Sequence, residues 1–133
     1  MHRPIAPWAG LAAALWLAPL AARAAEPNLH VDVTPSAVPQ EVQLVQHDFA
    51  PGETSGWHIH HGVEMAYVLT GDLQISVAGR APIVVHPGDS FMVPRDTPHE
   101  ARNIGARPAS LILSYLMDKG VPAKIAVPAP PGL

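Results

Sequence analysis

Residues 52–71 read Gly-Glu-Thr-Ser-Gly-Trp-His-Ile-His-His-Gly-Val-Glu-Met-Ala-Tyr-Val-Leu-Thr-Gly, with two histidines two apart and a carboxylate four residues later. Along a strand, successive side chains point to opposite faces. His58 and His60 therefore project together, while Ile59 projects the other way. Two imidazoles side by side and Glu64 nearby are three ligands for a divalent transition metal, and His99, in Pro94-Arg95-Asp96-Thr97-Pro98-His99, is the fourth candidate. Three neutral imidazoles and one carboxylate suit iron, manganese, nickel, cobalt or zinc, and poorly suit calcium or cuprous copper. Four protein ligands leave one or two positions open on a five- or six-coordinate ion, and an open position marks a catalytic site rather than a closed structural one. A small-molecule enolate or hydroxyl can bind there beside dioxygen, the metal serving as Lewis acid and template. Glu64 is also the candidate catalytic residue, able to take a proton if its pKa lies close enough to the working pH.

Other polar residues divide by parity. His61 follows His60 and should face outward. Arg95, in the loop before His99, is placed either to greet an anionic substrate or to pair with Asp96. Of Phe91 and Met92, adjacent on the stretch leading to His99, one should line the pocket floor. His47 and His86 carry no assigned role, and Trp57 and Tyr67 read as packing residues.

The elements that must position these groups are short strands. From Glu41, Val42, Leu44 and Gln46 alternate with Gln43, Val45 and His47. Further apolar runs span residues 65–69, 73–77, 82–85, 90–93 and 110–117. Gly71-Asp72 and Pro87-Gly88-Asp89 supply tight turns between them. Prolines at 51, 82, 87, 94, 98, 108 and 122 leave few windows for a helix, because an interior proline costs one about 3 kcal/mol. Many short strands at regular spacing indicate an all-β sandwich or barrel, with no helix longer than about two turns.

The chain ends are different in character. His2 and Arg3, an apolar run from Trp8 to Leu20 and Ala22-Arg23-Ala24 follow the order of an export signal, so residues 1–24 read as a cleavable leader and the protein as secreted or periplasmic. Its removal leaves 109 residues, one domain, with six Lys and Arg against eleven Asp and Glu. That charge of −5 and the absence of any basic run argue against nucleic acid or an anionic membrane surface as partner, and no apolar segment remains for stable membrane insertion. There is no cysteine, so the core, a metal or a partner subunit must hold the fold. Residues 25–40, with three prolines, form an extended arm. Residues 41–120 form the domain, and residues 121–133 a Pro- and Ala-rich tail. An open-ended barrel leaves edge strands, so a homodimer is expected, with the arm well placed to pair with a neighbour's edge.

The spaced residues also resemble the two motifs of the cupins. Gly52, His58, His60, Glu64 and Gly71 fill every position of the first; Gly88, Pro94, His99 and Asn103 fill the second, with Asp96 where the family has glycine. Asp tolerates positive φ better than most side-chain-bearing residues, so the departure is mild. The resemblance covers residues 52–103 and implies a single jelly-roll-type antiparallel β-barrel that holds one divalent ion through His58, His60, Glu64 and His99. Within the superfamily the chain looks like the small single-domain cupins similar to the quercetin dioxygenases. That implies a metal-dependent oxidoreductase acting on a small enolic or phenolic compound. A metal- or ligand-binding module without turnover, and a non-redox isomerase, decarboxylase or lyase, are the alternatives.

Overall fold

A computed structural model describes residues 27–131; the expected leader at residues 1–24 lies outside them. Within the described residues, nine antiparallel strands build two sheets: β1 (Gln40–Phe49), β2 (His58–Ile59), β3 (Gly62–Thr70), β4 (Leu73–Val77), β5 (Ile83–Val85), β6 (Ser90–Val93), β7 (His99–Asn103), β8 (Ala109–Asp118) and β9 (Ile125–Ala126). The first sheet runs β1-β8-β3-β6 and the second β5-β4-β7-β2-β9. Among the described residues there is no helix, as the proline spacing led one to expect. The two ladders do not join into one closed sheet, so the barrel is in detail a sandwich of two curved sheets.

Alternation decides which side chains meet between the sheets. On β8, Ala109, Leu111, Leu113 and Met117 are buried; their neighbours on β3 are Val68 opposite Leu111, Ala66 opposite Leu113 and Gly62 opposite Met117. Phe91 and Val93 of β6 continue this face beside Ala66 and Glu64. The second sheet answers with Leu73, Ile75 and Val77 of β4, which pair with Asn103, Ala101 and His99 of β7. Both sheets thus point an apolar band inward and leave the polar ligands at one end of it.

Two residues show how closely backbone geometry constrains the sequence. A Cβ on Gly62 would lie 2.2 Å from the Leu116 carbonyl oxygen and 2.4 Å from Met117 Cα, so only glycine lets β3 and β8 close together there. Asp96 has φ 56°, the only non-glycine residue at positive φ among those described, in agreement with a turn where the family has glycine.

The Pro- and Ala-rich tail contributes one further strand. Ile125 and Ala126 pair with Ile59 and His58, which adds β9 to the edge of the second sheet. Two residues among prolines and alanines carry no periodicity, so only the tertiary partner makes this strand. The arm lies against its own domain: Val31 and Val33 border a depression shared with Val63, Met92 and Leu116 on the outer face of the first sheet.

Candidate metal centre

β2, β3 and β7 deliver the four candidate ligands to one point. His58 sits opposite His99 across the β2–β7 ladder. Glu64 enters from β3, in the other sheet, and His60 follows β2 directly. All four side chains are buried, at 5, 4, 5 and 2 % exposure for His58, His60, Glu64 and His99. One candidate ligand atom from each lies within 4.8 Å of the others. Donors about 2.1 Å from a shared ion stand at most about 4.2 Å apart, so shifts of a few tenths of an ångström close the set.

The hydrogen bonds of the rings fix their tautomers. His58 Nδ1 lies 2.7 Å from the Gly56 carbonyl oxygen and His99 Nδ1 2.9 Å from that of Thr97. His60 Nδ1 meets the Ala123 carbonyl oxygen. A carbonyl only accepts, so each Nδ1 carries the proton and each neutral ring keeps its lone pair on Nε2. Those three lone pairs converge beside Glu64. His60 Nε2 is 2.8 Å from Glu64 Oε2 yet lacks the alignment of a hydrogen bond, which leaves it a buried polar atom without a partner. Such an orphan is costly unless something else satisfies it. A metal ion would do so, and the donor set fits one.

The electrostatics agree with that assignment. Burial lowers the His58 pKa to about 4, with the neighbouring His99, His60 and Lys124 acting in the same direction against the Gly56 hydrogen bond. For Glu64, burial raises the pKa, but the His60 and His99 side chains beside the carboxylate outweigh it and bring the value to about 2. Neutral imidazole and ionised carboxylate are the states a metal requires. Burial, with the Glu64 charge added, pushes the Tyr115 phenol up, so Tyr115 stays neutral.

The cavity above the ligands has a volume of about 100 Å³, and its walls are mainly Phe49, Ile75, Phe91, Leu111 and Leu113. Phe91 is thus the floor residue of the Phe91–Met92 pair; Met92 faces the arm. His61 turns away, with Nδ1 2.5 Å from Asp96 Oδ1. Arg95 is held by both carboxylate oxygens of Asp118 and lies 3.4 Å from Asp96, so its charge is already answered outside the cavity. Asn103, wholly buried, donates to the Phe49 and Arg107 carbonyls and accepts from the Gly105 amide; it clamps loops and does not reach the ligands. Tyr115, His47 and Lys124 are among the lining residues that the sequence reading did not assign to the site. Tyr115 was legible by parity, since it continues Leu111 and Leu113. His47 stacks on Phe49 at 4.4 Å between ring centroids, again on the inward parity of β1. Lys124 comes with β9 and had no sequence signal.

Comparison with known proteins points the same way as the geometry. A profile of the cupin domain matches residues 45–115. The chain is 33% identical over 82 residues to oxalate oxidase GF-2.8 of Triticum aestivum, a match covering 56% of this chain and 37% of the wheat protein. It is 32% identical over 82 residues to the putative germin-like protein 3-4 of Oryza sativa, covering 56% and 36%. The chain thus spans well under half the length of these relatives. A solved oxalate oxidase superposes with TM-score 0.59 at 30% identity over 65% of this chain and 46% of that one. An RmlC-like cupin from Shewanella frigidimarina superposes with TM-score 0.54 at 28% identity, covering 60% and 69%. With the ligand set, the two-sheet sandwich and the domain profile in agreement over more than half its length, this chain belongs to the cupin family.

Proposed function

We propose that the protein is an exported metal-dependent oxidoreductase that acts on a small oxygen-bearing substrate, enolic rather than phenolic. The observation that carries this is three Nε2 lone pairs and one carboxylate converging at the floor of an apolar cavity. When bound, the metal supplies a Lewis acid and an open position for a substrate oxygen. The chain does the rest. Backbone carbonyls of Gly56, Thr97 and Ala123 hold the rings in one orientation, so little reorganisation is needed on loading. Phe49, Phe91, Leu111 and Leu113 exclude bulk water, which strengthens every electrostatic interaction inside. Glu64, ionised with a pKa of about 2, keeps negative charge at the metal; a group so acidic is a weak proton acceptor at neutral pH, so its catalytic part is that of charged ligand first.

Size favours the enolic choice. A cavity of roughly 150 Å³ admits benzene, whereas this one is about 100 Å³. The similarity to proteins named oxalate oxidase supports a small substrate and oxidative chemistry. Oxygen uptake tests the reading: iron-, manganese- and nickel-loaded protein would be offered small enolic acids, catechols and flavonols. Metal-dependent uptake with the small enolic compounds is the expected result. A fully loaded protein that consumes no oxygen with any of them returns the molecule to the non-redox or purely metal-binding readings.

The proposal extends to a homodimer. β1 is ten residues long, lies at the edge of its sheet and has neither Lys nor Pro to blunt that edge; Val42 and Leu44 are 69 and 73 % exposed. Antiparallel pairing of two β1 strands about Leu44 would set Glu41 opposite His47 of the second copy, an attractive pair on one face.

A further inference from the structure

We infer that Lys124 is an anion anchor at the cavity mouth, and that the substrate or ligand of this centre is a small organic carboxylate with one end at the metal position and its negative charge at Lys124. The inference rests on the metal reading above and names the ligand chemistry of the same site. Among the residues that line the cavity, Lys124 is the one permanent cation. β9 brings it there: Ile125 and Ala126 pair with β2, which places the preceding lysine beside Ser55 on the cavity wall it shares with His58. Its ammonium donates to the Ser55 carbonyl oxygen, and an ammonium carries three donors, so two stay available.

Charge pairing singles the residue out. Arg95 is neutralised by Asp118 and Asp96, whereas Lys124 makes no ion pair among the described residues. The remaining wall offers little else to a polar ligand. The Ser55 hydroxyl is occupied by the Ala101 amide and the Gly56 carbonyl, no amide side chain lines the cavity, and beside the candidate ligands only the His47 ring and the neutral Tyr115 phenol remain. An unpaired cation at the edge of an apolar cavity selects for an anion small enough for about 100 Å³.

The test uses manganese-loaded protein and glycolate as the carboxylate probe, with ethylene glycol as its neutral counterpart. Binding is read by calorimetry and by the change in the manganese spin-resonance spectrum, and metal content is measured on every sample. Lys124→Met should weaken glycolate by about tenfold or more, the usual worth of a hydrogen bond to a charged group. It should leave ethylene glycol and metal content unchanged, and Lys124→Arg should restore most of the affinity. Equal glycolate affinity in Lys124→Met and the unsubstituted protein overturns the anchor, as does an equal loss for both probes. A protein that takes up manganese but not glycolate overturns the carboxylate ligand while the metal centre stands. A protein that takes up no manganese overturns both.

Discussion

The three candidate ligand histidines are each oriented by a backbone carbonyl, while the fourth histidine of the cluster, His61, is drawn outward by Asp96. Replacing His99 by Ala should therefore lower metal content and the melting temperature of the metal-loaded protein together. His61→Ala should leave metal content nearly unchanged, and elemental analysis of both variants separates the two faces of this stretch. The loss of metal alone removes a stabilisation of roughly 2.7 kcal/mol at a hundredfold excess over Kd. Acid should act on the same residues. The His58 pKa falls from 6.5 to about 4 on folding and that of Glu64 from 4.5 to about 2. In both cases the unfolded chain binds the proton more readily, so stability is full above pH 6.5 and declines as the pH drops. His58 acts between pH 6.5 and 4, and Glu64 between 4.5 and 2. Denaturant melts of metal-free protein at pH 7.5, 5 and 3.5 should show midpoints falling in that order; a midpoint that holds steady from pH 7.5 to 5 would contradict the burial of a neutral His58.

At the scale of elements, the chain was legible wherever local pattern and tertiary partner agree. The apolar runs at 73–77 and 90–93 are β4 and β6 to the residue, because each is bounded by turn residues and packs its apolar side chains inward; β6 alternates, while β4 buries Ser76 as well as Ile75 and Val77. The His-x-His spacing located β2 although it is two residues long. β7, His-Glu-Ala-Arg-Asn, shows no apolar run at all: its inward residues are a ligand, an alanine and a buried asparagine. β9 could not be read, since it exists through pairing with β2 alone, and with it went the Ala123 carbonyl and Lys124. This segment gives a direct test. Truncation after Gly120 removes the acceptor that holds His60 and should weaken metal affinity by about 10- to 100-fold, the range for loss of an outer-shell partner, as measured by competition with a chelator. Retained affinity would mean that β2 alone orients His60. Gly62→Ala probes the other side of the site. Its Cβ would meet the β8 backbone at 2.2–2.4 Å, and forced overpacking costs about 1–3 kcal/mol. A melting temperature unchanged by that substitution would contradict the close β3–β8 approach.

For the whole molecule, two sheets of four and five strands enclose one apolar core and one polar centre, and the exposed edge of β1 is where the proposed second copy adds. Leu44→Lys places two like charges at the centre of that pairing, so sedimentation should show a dimer becoming a monomer with metal content intact. A dimer that survives the substitution would move the interface elsewhere. Export remains a proposal carried by residues 1–24, tested by the intact mass of protein from an envelope fraction, where Ala25 should be the first residue. The four-residue centre is tested most directly by X-ray absorption with elemental analysis on protein purified without added chelator. One transition ion per chain, coordinated by three imidazole nitrogens and a carboxylate oxygen and lost in His58→Ala, is the expected result. A folded protein that binds no transition metal with His58, His60, Glu64 and His99 intact would contradict it.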